Sequence, residues 1–266
     1  MRLATWNVNS LRVRLPQLLT WLDRNPQDLI ALQELKLTDD EFPLAELEAA
    51  GWHALANGQK TYNGVAILSR DLPPIDVVRD IPGFDDVQRR VLAATYGEVR
   101  VIAVYVPNGQ SLGSDKYLYK LKWLEALRVW LADELRAHPQ LIVLGDYNIA
   151  PEDRDVHDPQ LWAGSVHVSE PERAALRALL ALGLEDLFRR FEQPPASFTW
   201  WDYRAGAFRL NRGLRIDLML ASKSLAERCT GSRIDREPRT WERPTDHAPV
   251  LATFASRPLM SNSASA

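Results

Sequence analysis

Short runs rich in Val, Ile, Leu and aromatic residues recur along the chain, each closed by Gly, Asn, Asp or Pro, a spacing that predicts strands. Eight runs fit: RLATWNV, LIALQEL, NGVAILS, RVLAATY, RVIAVYVP, QLIVLGDYN, LRIDLML and APVLATF. Three other segments carry Leu, Ala and Trp at helical spacing and predict helices over Leu15–Arg24, Lys116–Arg136 and Glu170–Leu182. The two signals interleave with no linker and no internal repeat, so a single α/β domain over residues 1–256 is expected, with a disordered tail at 257–266.

Polar residues break this pattern at particular places. TWNVN ends on Asn7 and Asn9, LIALQELK on Glu34 and Lys36, and LIVLGDYNI on Asp146 and Asn148. LRIDLML carries Asp217 inside an apolar run, and TDHAPV sets Asp246 and His247 at the mouth of the last strand, between Pro244 and Pro249. An ionised carboxylate in a strand is costly unless it is paired or bound to a metal. Repeated intrusions of this kind at strand ends are expected to converge on one site.

Composition narrows the chemistry. The chain has 266 residues, 46% hydrophobic and 25% charged, with a net charge of -3, so any nucleic-acid contact must be a local patch. The single cysteine, Cys229, can form no internal disulfide and is expected in the core of a protein from a reducing compartment. The start, MRLATWNVNS, has no signal segment, and no apolar run is long enough to span a bilayer, so a cytoplasmic protein without a membrane partner is expected. Carboxylates, amides and one histidine, without a thiolate cluster, suit a hard divalent cation, Mg²⁺ or alternatively Mn²⁺, and phosphoester hydrolysis. The absence of GxxxxGK[ST], GxSxG and Gly-rich dinucleotide motifs disfavours kinase-like, acyl-transfer and hydride-transfer readings.

The segment WWDYRAGAFRLNRGLR interleaves Arg204, Arg209, Arg212 and Arg215 with Trp200, Trp201, Tyr203 and Phe208. That mixture suits phosphate contacts and stacking on a displaced or terminal nucleotide, with Arg89 and Arg90 as a second contact. His53, His138 and His157 are expected at surface or satisfied polar positions.

TWNVNSLRVRL, IALQELK, GQKTYNGVAILS, QRRV, GDYNIAP, SFTWWDYR, NRGLRIDLMLAS and ERPTDHAPV together resemble, in order and from Met1 to about Phe254, the exonuclease III and AP endonuclease family. The resemblance implies a DNase I-like fold, a two-sheet β-sandwich flanked by helices in four α-β-β-α layers, which strand patterning alone leaves undecided against a barrel or open sheet. It implies a monomer that hydrolyses double-stranded DNA at 3′ ends, nicks or abasic sites with Mg²⁺. Glu34 is then the principal metal ligand, with Asn7, Asn9 and Asp246 beside it. Asp146 and Asn148 orient or deprotonate the attacking water, and His247, held in one tautomer by Asp217, sits on the scissile phosphate. Tyr105 is a further phosphate or leaving-group contact, and Trp200 and Leu214 wall the pocket for the sugar. The sequence leaves open whether Asp146 or His247 is the general base.

One position departs from the family's pattern. Members active at abasic sites usually carry Gly or Ser where this chain has His167, and an imidazole on the pocket rim would obstruct a flipped abasic nucleotide. This predicts a 3′-phosphatase and 3′→5′ exonuclease with weakened AP endonuclease activity. A His167 turned to solvent would instead leave a full AP endonuclease. A non-catalytic binding protein, or a phosphatase for another phosphoester, is the rival class.

Overall fold

The structure, a computed structural model, describes residues 1–255; the expected tail lies outside the described residues. Two six-stranded sheets are stacked face to face. The first runs β11 (Cys229–Ile234), β12 (Val250–Phe254), β1 (Arg2–Asn7), β2 (Leu29–Gln33), β4 (Val65–Ser69) and β3 (His53–Asn57). The second runs β5 (Ile75–Arg79), β6 (Val91–Tyr96), β7 (Val99–Tyr105), β8 (Leu141–Asp146), β10 (Asp217–Ser222) and β9 (Leu184–Asp186).

Successive side chains on a strand face opposite sides, and here both sides are covered. Leu3, Ala31 and Ile67 meet Ala94, Val101, Ile142 and Met219 between the sheets. Their neighbours Ala4, Trp6, Ile30 and Leu32 pack outward against Leu18, Trp21 and Leu22 of helix α1 (Leu11–Arg24). On the other side Ile102, Val104 and Val143 pack against Trp123, Leu127 and Leu131 of the long helix (Asp115–Ala137). Burial on both faces is why the inner strands read as unbroken apolar runs. The four-layer architecture expected from the resemblance is the one observed. Among the described residues no helix is long and apolar enough to cross a membrane.

Three boundaries differ from expectation. Helix α1 starts at Leu11, not Leu15, with Pro16 inside it, because Leu11 is buried with Leu18 and Trp21. The helix from Glu170 ends at Leu180, two residues short, where the chain turns towards Gly183 at φ +96°. β10 opens at Asp217, so this carboxylate starts the strand and does not interrupt it.

The topology gathers strand ends at one edge of the sandwich. β1 and β2 run parallel, as do β7 and β8, and antiparallel β12 and β10 begin where these end. β7 and β8 approach so closely that a Cβ on Gly145 would lie 1.9 Å from the Val104 carbonyl oxygen. Gly145→Ala is therefore expected to cost about 1–3 kcal/mol through overpacking and to displace Asp146, the next residue. A thermal melt and a phosphatase assay check the two effects separately.

Candidate active site

The gathered ends carry one polar network. Asn7, at the end of β1, bridges the two sheets: its Nδ2 donates to Glu34 Oε1 at 2.8 Å and to Asp146 Oδ2 at 2.9 Å. Its Oδ1 accepts the Asn9 backbone N–H at 2.9 Å, and Asn9 Nδ2 donates to Asp246 Oδ1 at 2.8 Å. Lys36 Nζ donates to Asn9 Oδ1 at 2.5 Å and lies 2.9 Å from Glu34 Oε2. Across the site, Asp146 Oδ1 accepts the Asn148 backbone N–H at 2.9 Å, and Asp217 Oδ2 holds His247 Nδ1 at 2.8 Å. The other imidazole nitrogen, Nε2, is 3.7 Å from Asp146 Oδ2. Trp200 Nε1 donates to Asp246 Oδ2 at 2.9 Å.

Backbone strain gathers in the same place. Asn9, Glu34, Lys36, Asn148 and His167 all adopt left-handed φ, from +42° to +74°. Glu, Lys and His seldom do so, and residues held there by their surroundings cluster at functional sites.

Electrostatics separates the roles. Burial pushes the Asp146 carboxyl up to about 7, with the Asp217 charge adding to the rise and His247 opposing it. Burial disfavours the His247 imidazolium, but Asp217 and Asp146 together outweigh it and hold the ring at about 10. The two groups thus face one another across 3.7 Å, the carboxylates favouring the imidazolium and burial disfavouring the charged carboxylate. Burial, then the charges of Glu34 and Asp146, raise Tyr105 well above the usual phenol range, so it keeps its proton and can donate a hydrogen bond.

Glu34, Asp146 and His247 each present a ligand atom within 4.8 Å of the others. Asp246 joins the same network through Asn9, so carboxylate and amide oxygens predominate around the group. That set fits a hard divalent cation.

The DNA-facing residues divide. Arg204, Arg209 and Arg212 are exposed, and Arg89 is half-exposed beside Asp80. Arg90 is buried against the Tyr105 ring, with Nη1 on the Tyr105 carbonyl at 3.1 Å, and forms part of a cleft of about 760 Å³ shared with Tyr62, Asn108 and Lys116. Two expectations are corrected. Leu214 is fully buried with Ala150, Val156 and Ile216, so it supports the site from beneath and is not a pocket wall. Arg215 is likewise buried, paired with Asp155 and Asp186, and is unavailable to DNA. His53 is exposed on β3, His138 follows the long helix, and His157 lies with Nδ1 3.3 Å from the Gly213 carbonyl. Cys229 belongs to the inter-sheet core.

His167 does not face solvent. Its Nδ1 donates to the Asn148 carbonyl at 2.6 Å, and Asn108 Nδ2 lies 3.4 Å from Nε2. Burial, with the Lys120 charge adding, lowers the ring to about 4, so it is neutral and this tautomer follows. The Ser169–Glu172 capping box of the helix from Glu170 fixes the approach: Glu172 Oε1 accepts the His167 N–H at 3.0 Å and also pairs with buried Lys120 at 2.5 Å. Lys120 Nζ in turn donates to the carbonyls of Asn148 and Asn108, at 2.7 and 3.1 Å. Sequence reasoning missed Asn108 and Lys120; a lysine within an amphipathic helix gives no sign that it is buried.

The model of the endonuclease/exonuclease/phosphatase family matches residues 4–247. The chain belongs to this family. Among family relatives, exodeoxyribonuclease III of Haemophilus influenzae is 37% identical over 268 residues, spanning 96% of this chain and 100% of its own. The solved 3′ phosphatase NExo from Neisseria, bound to a product DNA hairpin, is 49% identical with a TM-score of 0.94, covering 96% of this chain and 100% of its own. The AP endonuclease of Archaeoglobus fulgidus is 37% identical with a TM-score of 0.93 over the same shares.

Proposed function

We propose that this chain, acting as a monomer, clears 3′ ends of duplex DNA as a 3′-phosphatase and 3′→5′ exonuclease and incises internal abasic sites poorly. It is a DNA-repair hydrolase of the exonuclease III kind, and the refinement concerns which phosphoester it accepts. Glu34, with Asn7, Asn9 and Asp246 beside it, would hold Mg²⁺, which when bound supplies Lewis-acid charge to the phosphate oxygens. Asp146 accepts the proton of the attacking water, positioned with Asn148. His247, kept protonated by Asp217, donates Nε2–H to a phosphate oxygen, and the Tyr105 hydroxyl is a further donor to the phosphate or the leaving group. The exposed Arg204, Arg209 and Arg212, with Arg89, Arg90 and Trp200, would contact the duplex around this centre.

The observation that carries the refinement is the buried His167 ring, seated on the Asn148 carbonyl beside the attacking group. A group tethered on both sides, as an abasic nucleotide is, must thread past that ring; a free 3′ end need not. His167→Gly is expected to raise abasic incision relative to 3′-phosphate removal by about 10-fold, the scale of steric discrimination in a pocket. Steady-state kinetics on both duplexes tests this, and an unchanged ratio would contradict it.

A further inference from the structure

We infer that Trp162 narrows the site against a sugar that lies beyond the scissile phosphorus and is tethered to the strand on its far side, with His167 as its prop; this rests on the 3′-end reading above. Trp162 ends a short helix (Pro159–Trp162) whose start is fixed by Asp158 accepting the Leu161 N–H at 3.0 Å. Its indole packs over the apolar cluster of Ala150, Val156, Leu214 and Ile216. The ring centroid lies 6.1 Å from that of His167 and 6.4 Å from that of Trp200, the latter edge-on at 86°. Trp200 cannot swing aside freely, because its Nε1 is held on Asp246. The three rings therefore form a continuous wall from the Asn148 carbonyl to Asp246, and Trp162 occupies its middle.

The consequence follows from substrate chemistry. A 3′-phosphate carries carbon on one side of phosphorus only, at the leaving 3′ oxygen. The other ester oxygen carries a second sugar in both remaining cases, but that of a terminal nucleotide is free on its far side, whereas that of an abasic site is held by the strand beyond it. With the 3′-terminal nucleoside taken into the cleft lined by Arg90, Tyr105, Asn108 and Lys116, a second sugar held by the strand would lie towards the aromatic wall. Trp162 therefore acts as a specificity residue that favours phosphomonoesters and untethered termini.

The ratio of abasic incision to 3′-phosphate removal is the right readout, because it cancels general losses from partial misfolding. Trp162→Ala is expected to raise the ratio about 10-fold, chiefly through a lower KM for the abasic duplex, and Trp162→Ala with His167→Gly to raise it about 100-fold. Should the alanine variant fail to fold, Trp162→Leu keeps Leu214 covered but removes the ring edge, and is expected to give a smaller rise, about 3-fold. A ratio raised by His167→Gly and unmoved by either Trp162 change would overturn the inference while leaving the 3′-end reading intact. A wild-type ratio already near one would defeat the 3′-end reading itself, and the closed wall with it.

Discussion

Asp146→Asn is expected to lower turnover on a 3′-phosphorylated nick by about 10²–10⁴-fold, the range for loss of a positioned proton acceptor. The substitution preserves shape, so the cause is electronic. Oδ2 of Asp146 faces three donors, Asn7 Nδ2 at 2.9 Å, Asn148 Nδ2 at 3.5 Å and His247 Nε2 at 3.7 Å, while Oδ1 accepts the Asn148 N–H. An amide must turn its own N–H₂ towards one of these sets. It also removes a carboxylate that helps keep His247 protonated. Single-turnover phosphate release should therefore fall sharply while binding to the nicked duplex, read by anisotropy, changes little. A drop in binding alone, with chemistry intact, would count against Asp146 as the proton acceptor.

Asp155→Asn is expected to destabilise the fold by about 1–3 kcal/mol, because it removes one of the two carboxylates that hold buried Arg215 and leaves it Asp186 alone. Asp155 is buried beneath the 200–216 segment, where Oδ1 accepts Arg215 Nε at 2.6 Å and also pairs with Arg189. Burial alone would raise this carboxyl, but the two guanidiniums outweigh it and its pKa is lowered. A lowered folded-state pKa stabilises above the ordinary carboxylate value of about 4, and that contribution is lost as pH falls through it and below. Wild-type melting temperature should drop steeply on acidification, whereas the asparagine variant should start lower and respond less. Arg215 neighbours Leu214 and Ile216, so the same change should loosen the floor under Trp162 and Trp200. Equal melting temperatures for the two proteins at pH 7 would contradict this account.

The eight strands legible in the sequence are the eight inner strands, and the four it concealed, β3, β5, β9 and β11, are the four sheet edges. An edge strand pairs on one side and meets solvent on the other, so its apolar signal is diluted. β5 is mostly exposed, and β5 and β11 both carry register irregularities. The polar site was legible for the converse reason: Glu34, Asp146, Asp217 and His247 stand out against strands otherwise buried on both faces. Arginines offered no such contrast. Arg212 and Arg215 are three residues apart in one basic segment, yet one is exposed and the other sealed against Asp155 and Asp186. Spacing cannot report a carboxylate sixty positions away in the chain. Trp162 lay hidden likewise, since only the folded chain sets it between His167 and Trp200.

The most direct test of the central claim is the wild-type specificity ratio in Mg²⁺: kcat/KM for phosphate release from a 3′-phosphorylated nick over kcat/KM for incision at an internal abasic site. With two obstructing side chains each worth roughly tenfold, the ratio should be about 100 or more. A ratio near one, or a preference for the abasic duplex, would contradict it and make the enzyme a general AP endonuclease, with His167 and Trp162 as bystanders.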